Sequence, residues 1–301
     1  MYIGHNIINK IYSIFRVRSN LAYQLQFWAI VAVILPSFAF IVTEIVREIK
    51  HSREDAHNYL KQVVILQQET INQWLISRSA DIQGIAQLRS VRSLDEQAME
   101  QDFRAIIGVQ SDFYNRSFVN RQGHLMISAV GTNGADVSDR DYFQQAMNGT
   151  LVISEILQGR LSSEPRIIFA APIFDYQGEI QGVLTGSVKL DTISKTLEQF
   201  RFGRTGETYL TMRDGLMITE ARFSQDLIRL GVVIDTVKLK LHLHESTVER
   251  FYRSESDSGE PVDYRGKDVL FAYQVMPGRN WVIVGEINQE EVMERIYSHL
   301  E

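Results

Sequence analysis

The sequence predicts an α+β protein in which an N-terminal transmembrane helix and a long stalk helix precede two antiparallel-sheet modules in series. Three patterns in the 301 residues predict this order. Residues 21–43 form an apolar run without a charge, and residues 44–110 place apolar side chains at helical spacing. The remaining sequence changes twice to the residue alternation of β-strands, which indicates two sheets.

The apolar run at residues 21–43 is long enough to cross a membrane as one helix, because a span needs roughly 20 mostly apolar residues. Lys10, Arg16 and Arg18 precede it, and no acidic residue occurs before Glu44. By the positive-inside rule, residues 1–20 are therefore expected in the cytoplasm. The rest of the chain is then exported to the periplasmic or extracellular side of a bacterial inner membrane. A cleaved signal peptide is the alternative, although its apolar region is only about 7–15 residues long.

Composition narrows the function classes. The formal net charge of -6 argues against a nucleic-acid partner. The absence of cysteine means that ordinary cores, without disulfides, must stabilise the exported part. The sequence contains no Gly-x-Ser-x-Gly elbow and no HExxH motif. We therefore expect no catalytic centre, no metal and no cofactor within these residues.

Residues 44–110 predict a stalk region of long helix carrying two apolar stripes. One stripe would pack on the protein's own sheets and the other on a second copy, giving a parallel homodimer. In the alternative, both stripes belong to one wide surface that faces the core. The first stripe contains Ile49, Ala56, Tyr59, Val63 and Leu66, and the second contains Ile45, Leu60, Val64, Ile71, Trp74 and Leu75.

Residues 111–191 predict a first module of about five strands with helices on one side. Residues 192–200 predict a connecting helix, residues 201–287 a second module, and residues 288–301 a helix leading towards a second transmembrane span. The strands expected in the second module are Thr208–Met212, Leu216–Thr219, Glu249–Tyr252, Val269–Val275 and Trp281–Ile287.

Four motifs in order carry a family resemblance. They are Asp139–Phe143 (Asp-Arg-Asp-Tyr-Phe) followed by Gly149, the strand Gly182–Asp191, Gly203–Leu210 with Arg213–Met217, and Tyr264–Gly266 continuing to Trp281. From about Glu44 to Leu300 the chain resembles the double Cache (dCache_1) family, the extracytoplasmic sensor region of bacterial chemoreceptors, sensor histidine kinases and diguanylate cyclases. The resemblance implies two PAS-like modules, of which the membrane-distal one binds a small molecule.

Arg140 is the first candidate for contacting that ligand. It stands where a turn enters a helix, and its guanidinium fork fits a carboxylate through two hydrogen bonds. Tyr142 and Phe143 follow it and could wall a pocket. In the amino-acid-binding branch of the family the matching segment reads Arg-x-Trp-Tyr, which implies that Arg140 engages a ligand carboxylate. The alternative is that Arg140 pairs with Asp139 or Asp141 and only caps the helix.

Ser187 departs from the amino-acid-binding branch. That branch places an aspartate here, which clamps the ligand's ammonium group, and a hydroxyl cannot offset a buried cation as a carboxylate can. We therefore predict that α-amino acids do not bind in that mode. A carboxylate, another small polar metabolite or a purine-like compound is favoured.

Further candidate ligand-binding residues follow from the alternation of strand side chains between two faces. Each of these positions could instead pack under helices. The candidates are Ser128, Ser154, Phe169 and Ala171, together with Ser187.

These observations predict the ligand-binding sensor region of a membrane receptor, with a small-molecule ligand, the lipid bilayer and a second copy as partners. A cytoplasmic output domain, such as a histidine kinase or diguanylate cyclase, is expected beyond Glu301. The alternative is a membrane-tethered solute-binding or structural ectodomain without an output of its own.

Overall fold

The computed structural model describes residues 21–107, 112–131, 134–158, 164–198 and 200–300. The predicted cytoplasmic segment 1–20 and the end of the predicted stalk region at 108–110 lie outside these ranges. The chain divides into two compact units, one reaching to Glu54 and the other comprising Asp55–His299. The candidate site lies in the second unit.

The first unit contains the start of helix α1 (Leu21–Ala86), which has Pro36 inside it. Within the described residues, α1 is the one helix long and apolar enough to cross a membrane, and none of its apolar window is buried. Its large side chains, such as those of Trp28, Leu35 and Phe38, are exposed. The length agrees with the predicted span, and the placement in a membrane stays a prediction.

Helix α1 ends at Ala86, before the predicted end of the stalk region. The amides of Gln87 and Leu88 bond to the carbonyls of Gly84 and Ile85, three residues back, which tightens and closes the last turn. Two shorter helices follow, α2 (Arg89–Arg92) and α3 (Glu96–Ile107).

The first module is an antiparallel sheet with helices on both faces. Its strands are β1 (Asn115–Asn120), β2 (Leu125–Ser128), β3 (Val152–Ile153), β4 (Leu157–Gln158), β5 (Pro165–Phe174) and β6 (Ile180–Lys189). They lie in the order β2-β1-β6-β5-β3, with β4 also paired to β5. Helix α4 (Asp141–Met147) covers one face and α1 packs on the other. Within the described part of residues 111–191, the helix lies on one face as predicted, and the stalk helix packs on the other face.

The second module is an antiparallel sheet in the order β7-β10-β9-β8. Its elements are β7 (Glu207–Met212), α6 (Ser224–Arg229), α7 (Glu245–Arg253), β8 (Ser256–Gly259), β9 (Val269–Val275) and β10 (Trp281–Asn288). Helix α5 (Leu190–Glu198) joins the modules and α8 (Gln289–Leu300) follows β10. Both sheets agree with the predicted architecture.

Two predicted strands of the second module were wrong. Glu249–Tyr252 lies within α7, where Thr247 and Phe251 are buried four residues apart on one helix face. Leu216–Thr219 makes only isolated bridges, to Thr211 and His242. Short runs with alternating apolar side chains fit either structure, so the sequence pattern alone does not separate them.

Glycines let α1 approach both sheets closely. A Cβ atom at Gly186 of β6 would overlap the side chains of Ile82 and Phe113, and one at Gly285 of β10 would lie 2.9 Å from Val64 Cγ1. The α1 side chains on this side, from Leu60 and Val64 to Ile82, are buried. One of the two predicted stripes therefore packs on the protein's own sheets.

Replacing Gly186 by alanine should lower the free energy of unfolding by about 1–3 kcal/mol, because the added methyl overpacks the contact with α1. Gly84→Ala is the matched control. Gly84 lies within α1 with no atom near its missing Cβ, so alanine should stabilise by about 0.5–1 kcal/mol. Thermal unfolding of the purified chain in detergent measures both, and equal effects would contradict the close approach.

Candidate ligand-binding site in the first module

The register of the first sheet assigns its side chains to two faces. Ser187 of β6 pairs with Ile168 of β5 and Asn115 of β1, and Thr185 pairs with Ala170 and Ser117. Directly opposite residues share a face of an antiparallel sheet. We call this the polar face; it contains Asn115, Ser117, Ser128, Ile168, Ala170, Thr185 and Ser187.

Helix α4 covers the apolar part of the polar face. Tyr142, Phe143 and Ala146 of α4 form one buried cluster with Ile168, Ala170, Val119 and Val183. Because the helix fills this end, the hydroxyl and amide groups of the neighbouring strands are left as a buried polar surface beside it. A few polar groups in an otherwise apolar setting are typical of small-molecule sites.

Hydrogen bonds order the polar groups of β1 and β2. The Ser128 hydroxyl donates to Asn115 Oδ1 at 3.1 Å, and Asn115 Nδ2 donates to Ser117 Oγ at 3.0 Å. All three side chains are buried. The network fixes the orientation of the Asn115 amide, as a binding surface requires.

Arg140 occupies the residue before α4, with extended backbone. Its carbonyl accepts from the amides of Phe143 and Gln144 and so begins the helix, while its side chain makes no capping hydrogen bond. Tyr142 and Phe143 are buried and Arg140 is partly exposed. Arg140 thus lies just before the two buried aromatic side chains of α4.

Further positive charge lies at the end of β5 and β6. Arg166 and Lys189 pair across the strands, two residues beyond Ile168 and Ser187 on the polar face. Lys189 Nζ lies 4.3 Å from the centre of the Tyr114 ring and 2.8 Å from Glu164 Oε2. Arg166 is buried although charged. Two cationic side chains, and the Glu164 carboxylate that pairs with one of them, thus lie at this end.

Phe169 and Ala171 lie on the opposite face of the sheet from α4. Phe169 pairs with Gly186, and its ring centre is 6.0 Å from that of Trp74 in α1 and 5.6 Å from that of Phe113. The structure does not bring these two predicted residues together with Arg140, Tyr142, Phe143, Ser128 and Ser187. The structure adds Asn115, Ser117 and Thr185 to the candidate site, and the sequence analysis did not predict them. Thr185 could have been predicted, because it alternates with Ser187 along the same strand.

Ser154 lies where the site meets the second module. Its hydroxyl accepts from the Ile168 amide at 2.9 Å, and its own amide donates to the Ile168 carbonyl. Its carbonyl oxygen accepts from Arg279 Nη1 at 3.3 Å. Ser154 thus contacts both the polar face and the β9–β10 hairpin.

The junction between the modules is polar and partly open. Trp281 Nε1 donates to Glu155 Oε2 at 3.1 Å, and the Arg279 guanidinium lies over the Trp281 ring. Burial lowers the pKa of the Arg279 guanidinium, while the Glu155 carboxylate opposes that change. A cavity of about 400 Å³ lies beside them, lined by Glu155, Arg213, Glu255 and residues 275–280.

The described ranges contain no group of three or more His, Cys, Asp or Glu side chains that could hold a metal ion. The chemistry that these side chains offer is reversible binding through hydrogen bonds, charge and aromatic contact.

Known proteins resemble the chain in sequence and fold. A methyl-accepting chemotaxis protein, PscA of Pseudomonas syringae pv. tomato, is 26% identical over 196 residues, which are 63% of this chain and 30% of that protein. The chain therefore spans less than a third of the length of this relative.

Two solved structures share the fold. The extracellular domain assigned to the histidine kinase rpHK1S-Z16 has a TM-score of 0.63 at 16% identity, covering 80% of this chain and 97% of that one. The ligand-binding domain of the Pseudomonas fluorescens chemoreceptor CtaA, in complex with L-serine, has a TM-score of 0.55 at 20% identity, covering 79% and 99%.

The family model described as "dCache_1: Cache domain" matches residues 49–296, which include both sheets, α4 and the polar face. This match confirms the predicted family, and the chain belongs to the Cache-domain family in its double, dCache_1, form.

Proposed function

We propose that this chain is the ligand-binding sensor region of a bacterial membrane receptor, of the chemoreceptor or histidine kinase type. Residues 21–43 anchor it in the inner membrane, and the two modules lie on the periplasmic side. The first module binds a small extracellular molecule that carries a carboxylate. A homodimer through α1 and a cytoplasmic output domain beyond Glu301 belong to the same proposal.

The polar face beneath α4 carries the proposal of ligand binding. Five buried side chains with hydroxyl or amide groups occupy sheet positions that apolar side chains would fill in a purely structural core. They are Asn115, Ser117, Ser128, Thr185 and Ser187. Their position beside a guanidinium and two aromatic side chains suits recognition of a small polar molecule.

The charge distribution favours a carboxylate. Arg140 directly precedes α4, which covers the apolar part of the polar face, and Arg166 and Lys189 lie at the strand end of that face. Ser187 and its neighbours Asn115 and Ile168 present no carboxylate where an ammonium group would need one. The CtaA domain was solved with L-serine, so α-amino acids are the competing ligand class.

A dimer is supported by the exposed side of α1. In the single chain, four apolar side chains on one side of α1 are 50–58% exposed, while the opposite side of the helix is buried. They are Tyr59, Ile65, Leu66 and Ile76. Tyr59 and Leu66 belong to the first predicted stripe, and exposed apolar side chains along one helix suit contact with a second copy.

Transmission to the second module is supported by the junction at Ser154 and Glu155. Ligand that moves the polar face also moves Ile168, whose amide bonds to Ser154. The Ser154 carbonyl and the Glu155 carboxylate accept from Arg279 and Trp281. Two states of this contact, differing in affinity for ligand, would couple binding to the second module.

Arg140→Ala should abolish stabilisation by the ligand. The experiment is a thermal-unfolding screen of the purified chain in detergent against monocarboxylates, dicarboxylates, L-amino acids, amines, purines and sugars. A ligand at a hundredfold over Kd adds about 2.7 kcal/mol to the free energy of unfolding. For a protein of this size, each kcal/mol raises the unfolding temperature by roughly 2–4 °C. This rise should disappear in Arg140→Ala.

Arg253→Ala is the matched control, because Arg253 is an exposed arginine on α7 whose ion pair within the described residues is with Glu249 of the same helix. It should keep the shift. Tight binding of L-serine that survives Arg140→Ala would contradict the carboxylate site. Absence of stabilisation by every compound in the panel would favour the structural ectodomain.

A further inference from the structure

The core of the second module contains two glutamates that face each other. Glu207 begins β7 and Glu286 lies near the end of β10, and the two residues pair directly across the strands. Their exposed fractions are 1% and 2%. Directly opposite residues have Cβ atoms about 4.5–5.5 Å apart, so the two carboxyl groups occupy one buried region.

The hydrogen bonds of the pair come from neutral groups. The Tyr209 hydroxyl donates to Glu286 Oε2 at 2.9 Å, and the Tyr264 hydroxyl donates to Glu207 Oε1 at 2.7 Å. The Arg222 backbone amide donates to Glu207 Oε2 at 2.6 Å. Glu286 Oε1 is buried and has no hydrogen-bond partner among the described residues. No ion pair to either carboxyl is found in the described part of the chain.

The charged groups around the two glutamates do not neutralise the negative charge that the pair would carry when ionised. From the turn after β8 come Asp263, which is anionic, and Arg265, the cation that acts on both glutamates. Arg265 Nε donates to Asp263 Oδ2 at 2.6 Å, and Arg265 Nη2 donates to Asn288 Oδ1 at 2.7 Å. Its hydrogen bonds are thus directed to other acceptors.

The Arg222 guanidinium, on the segment before α6, points elsewhere as well. Its Nη1 donates to the carbonyls of Gly206 at 2.9 Å and Gly203 at 3.3 Å. Fully ionised glutamates with Asp263 would therefore place more negative than positive charge in the core.

A buried region disfavours two like charges at once. Burial raises the pKa of the Glu286 carboxyl well above its ordinary value of 4.5, and the facing Glu207 carboxyl raises it further. Burial also raises the pKa of Glu207, although the Tyr264 hydrogen bond lowers it. The two carboxyl groups titrate as a pair.

We propose that Glu207 and Glu286 form a proton-binding site, and that its occupancy makes the second module respond to pH. This function is separate from ligand binding in the first module. The pair binds one proton and releases it as the pH rises, which leaves two facing carboxylates in the core.

The position of the pair connects it to the C-terminal helix. Residues 203–206 precede Glu207, and Arg222 holds their carbonyls. The amides of Arg204 and Thr205 donate to the Glu291 carboxylate of α8 at 3.0 and 2.7 Å. Repulsion between ionised Glu207 and Glu286 would therefore act on the loop against which α8 begins.

The direction of the pH effect follows from the raised pKa. The folded chain holds the proton at pH values where the unfolded chain has lost it, so the pair's contribution to stability is fully present below the unfolded pKa of 4.5 and is lost as pH rises through the folded pKa. Above the unfolded pKa, this contribution should lower the unfolding temperature of the full chain in detergent as the pH rises. Glu286→Gln, which keeps a neutral group there, should remove this part of the fall.

Glu249→Gln is the matched control, because Glu249 is exposed on α7 and pairs only along that helix with Arg253 among the described ion pairs. It should keep the pH dependence of the unaltered chain. Infrared difference spectroscopy gives a direct readout. At neutral pH the unaltered chain should show the C=O stretch of a protonated buried carboxyl group, and Glu286→Gln should lose it.

Hydrogen exchange at a single alkaline pH tests the response of the loop. The Arg204 and Thr205 amides should exchange more slowly in Glu286→Gln than in the unaltered chain. Absence of a protonated-carboxyl band at neutral pH in the unaltered chain would overturn the proposal even if the variant fails to fold. Equal exchange at Arg204 and Thr205 in the two proteins would overturn the response to pH.

Discussion

Replacing Trp281 by alanine should lower the free energy of unfolding by about 3–5 kcal/mol, because truncating a buried tryptophan leaves a large cavity. Trp281 is fully buried and begins β10 opposite Met212. The loss corresponds to roughly 2–4 °C of unfolding temperature per kcal/mol for a chain of this size. Thermal unfolding of the purified chain in detergent measures it, and a loss below about 1 kcal/mol would contradict the packing.

Trp281→Phe separates packing from the hydrogen bond across the junction. Phenylalanine keeps an aromatic ring but leaves Glu155 Oε2 without the indole N–H that bonds to it at 3.1 Å. If the junction couples the modules, the amides of Ser154 and Ile168 in the first module should exchange faster in this variant. Glu179→Gln is the control, because Glu179 is exposed at a turn of the first module. If amide exchange becomes faster only in the second module, Trp281 supports only its own sheet.

The order of elements could be predicted because the hydrophobic pattern changes period where the structure changes. The uncharged run at 21–43 and the helical spacing after it lie in α1, and the alternation of residues 182–190 lies in β6. Glu249–Tyr252 was mistaken for a strand because four residues do not distinguish the two periods. The buried spacing of Thr247 and Phe251 becomes informative only when the helix is known to begin at Glu245, after its capping residue His244.

The composition of the polar face could be predicted only in part. Alternation shows that Ser187 and Thr185 share a face, and that Phe169 and Ala171 share a face, but it does not show which faces coincide. That depends on register, since a shift of one residue moves every side chain to the other side. Here Ser187 pairs with Ile168, which puts Phe169 beneath α1.

The buried glutamate pair could not be predicted from the sequence. Glu207 and Glu286 lie 79 positions apart by number, and nothing local distinguishes them from solvated glutamates. The strand pairing of β7 with β10 brings them together, and the surrounding aromatic and aliphatic side chains bury them. Whether a charged residue is buried depends on the residues that the fold packs around it, so the pattern of a single sequence does not predict its burial.

Phe169→Ala should cost about 3–5 kcal/mol of unfolding free energy and leave ligand binding intact, because the Phe169 ring is fully buried on the α1 side of the sheet. Ser187→Ala should have the opposite effects, a small loss of stability and weaker ligand binding. It removes one hydroxyl from the polar face, at a cost of about 1 kcal/mol or less, and should reduce the stabilisation by whichever carboxylate shifts the unaltered chain in the screen.

Thermal unfolding of both variants, with and without that compound, makes the comparison. The shift is read within each variant, so the lower starting stability of Phe169→Ala does not enter it. Retention of the shift in Ser187→Ala together with its loss in Phe169→Ala would place the ligand between the sheet and α1. That side is already filled by Trp74, Phe113 and Ile82, whose contacts with Phe169 and Gly186 leave no room for a further methyl group. These contacts therefore favour a ligand on the polar face, where α4 and the buried hydroxyls lie.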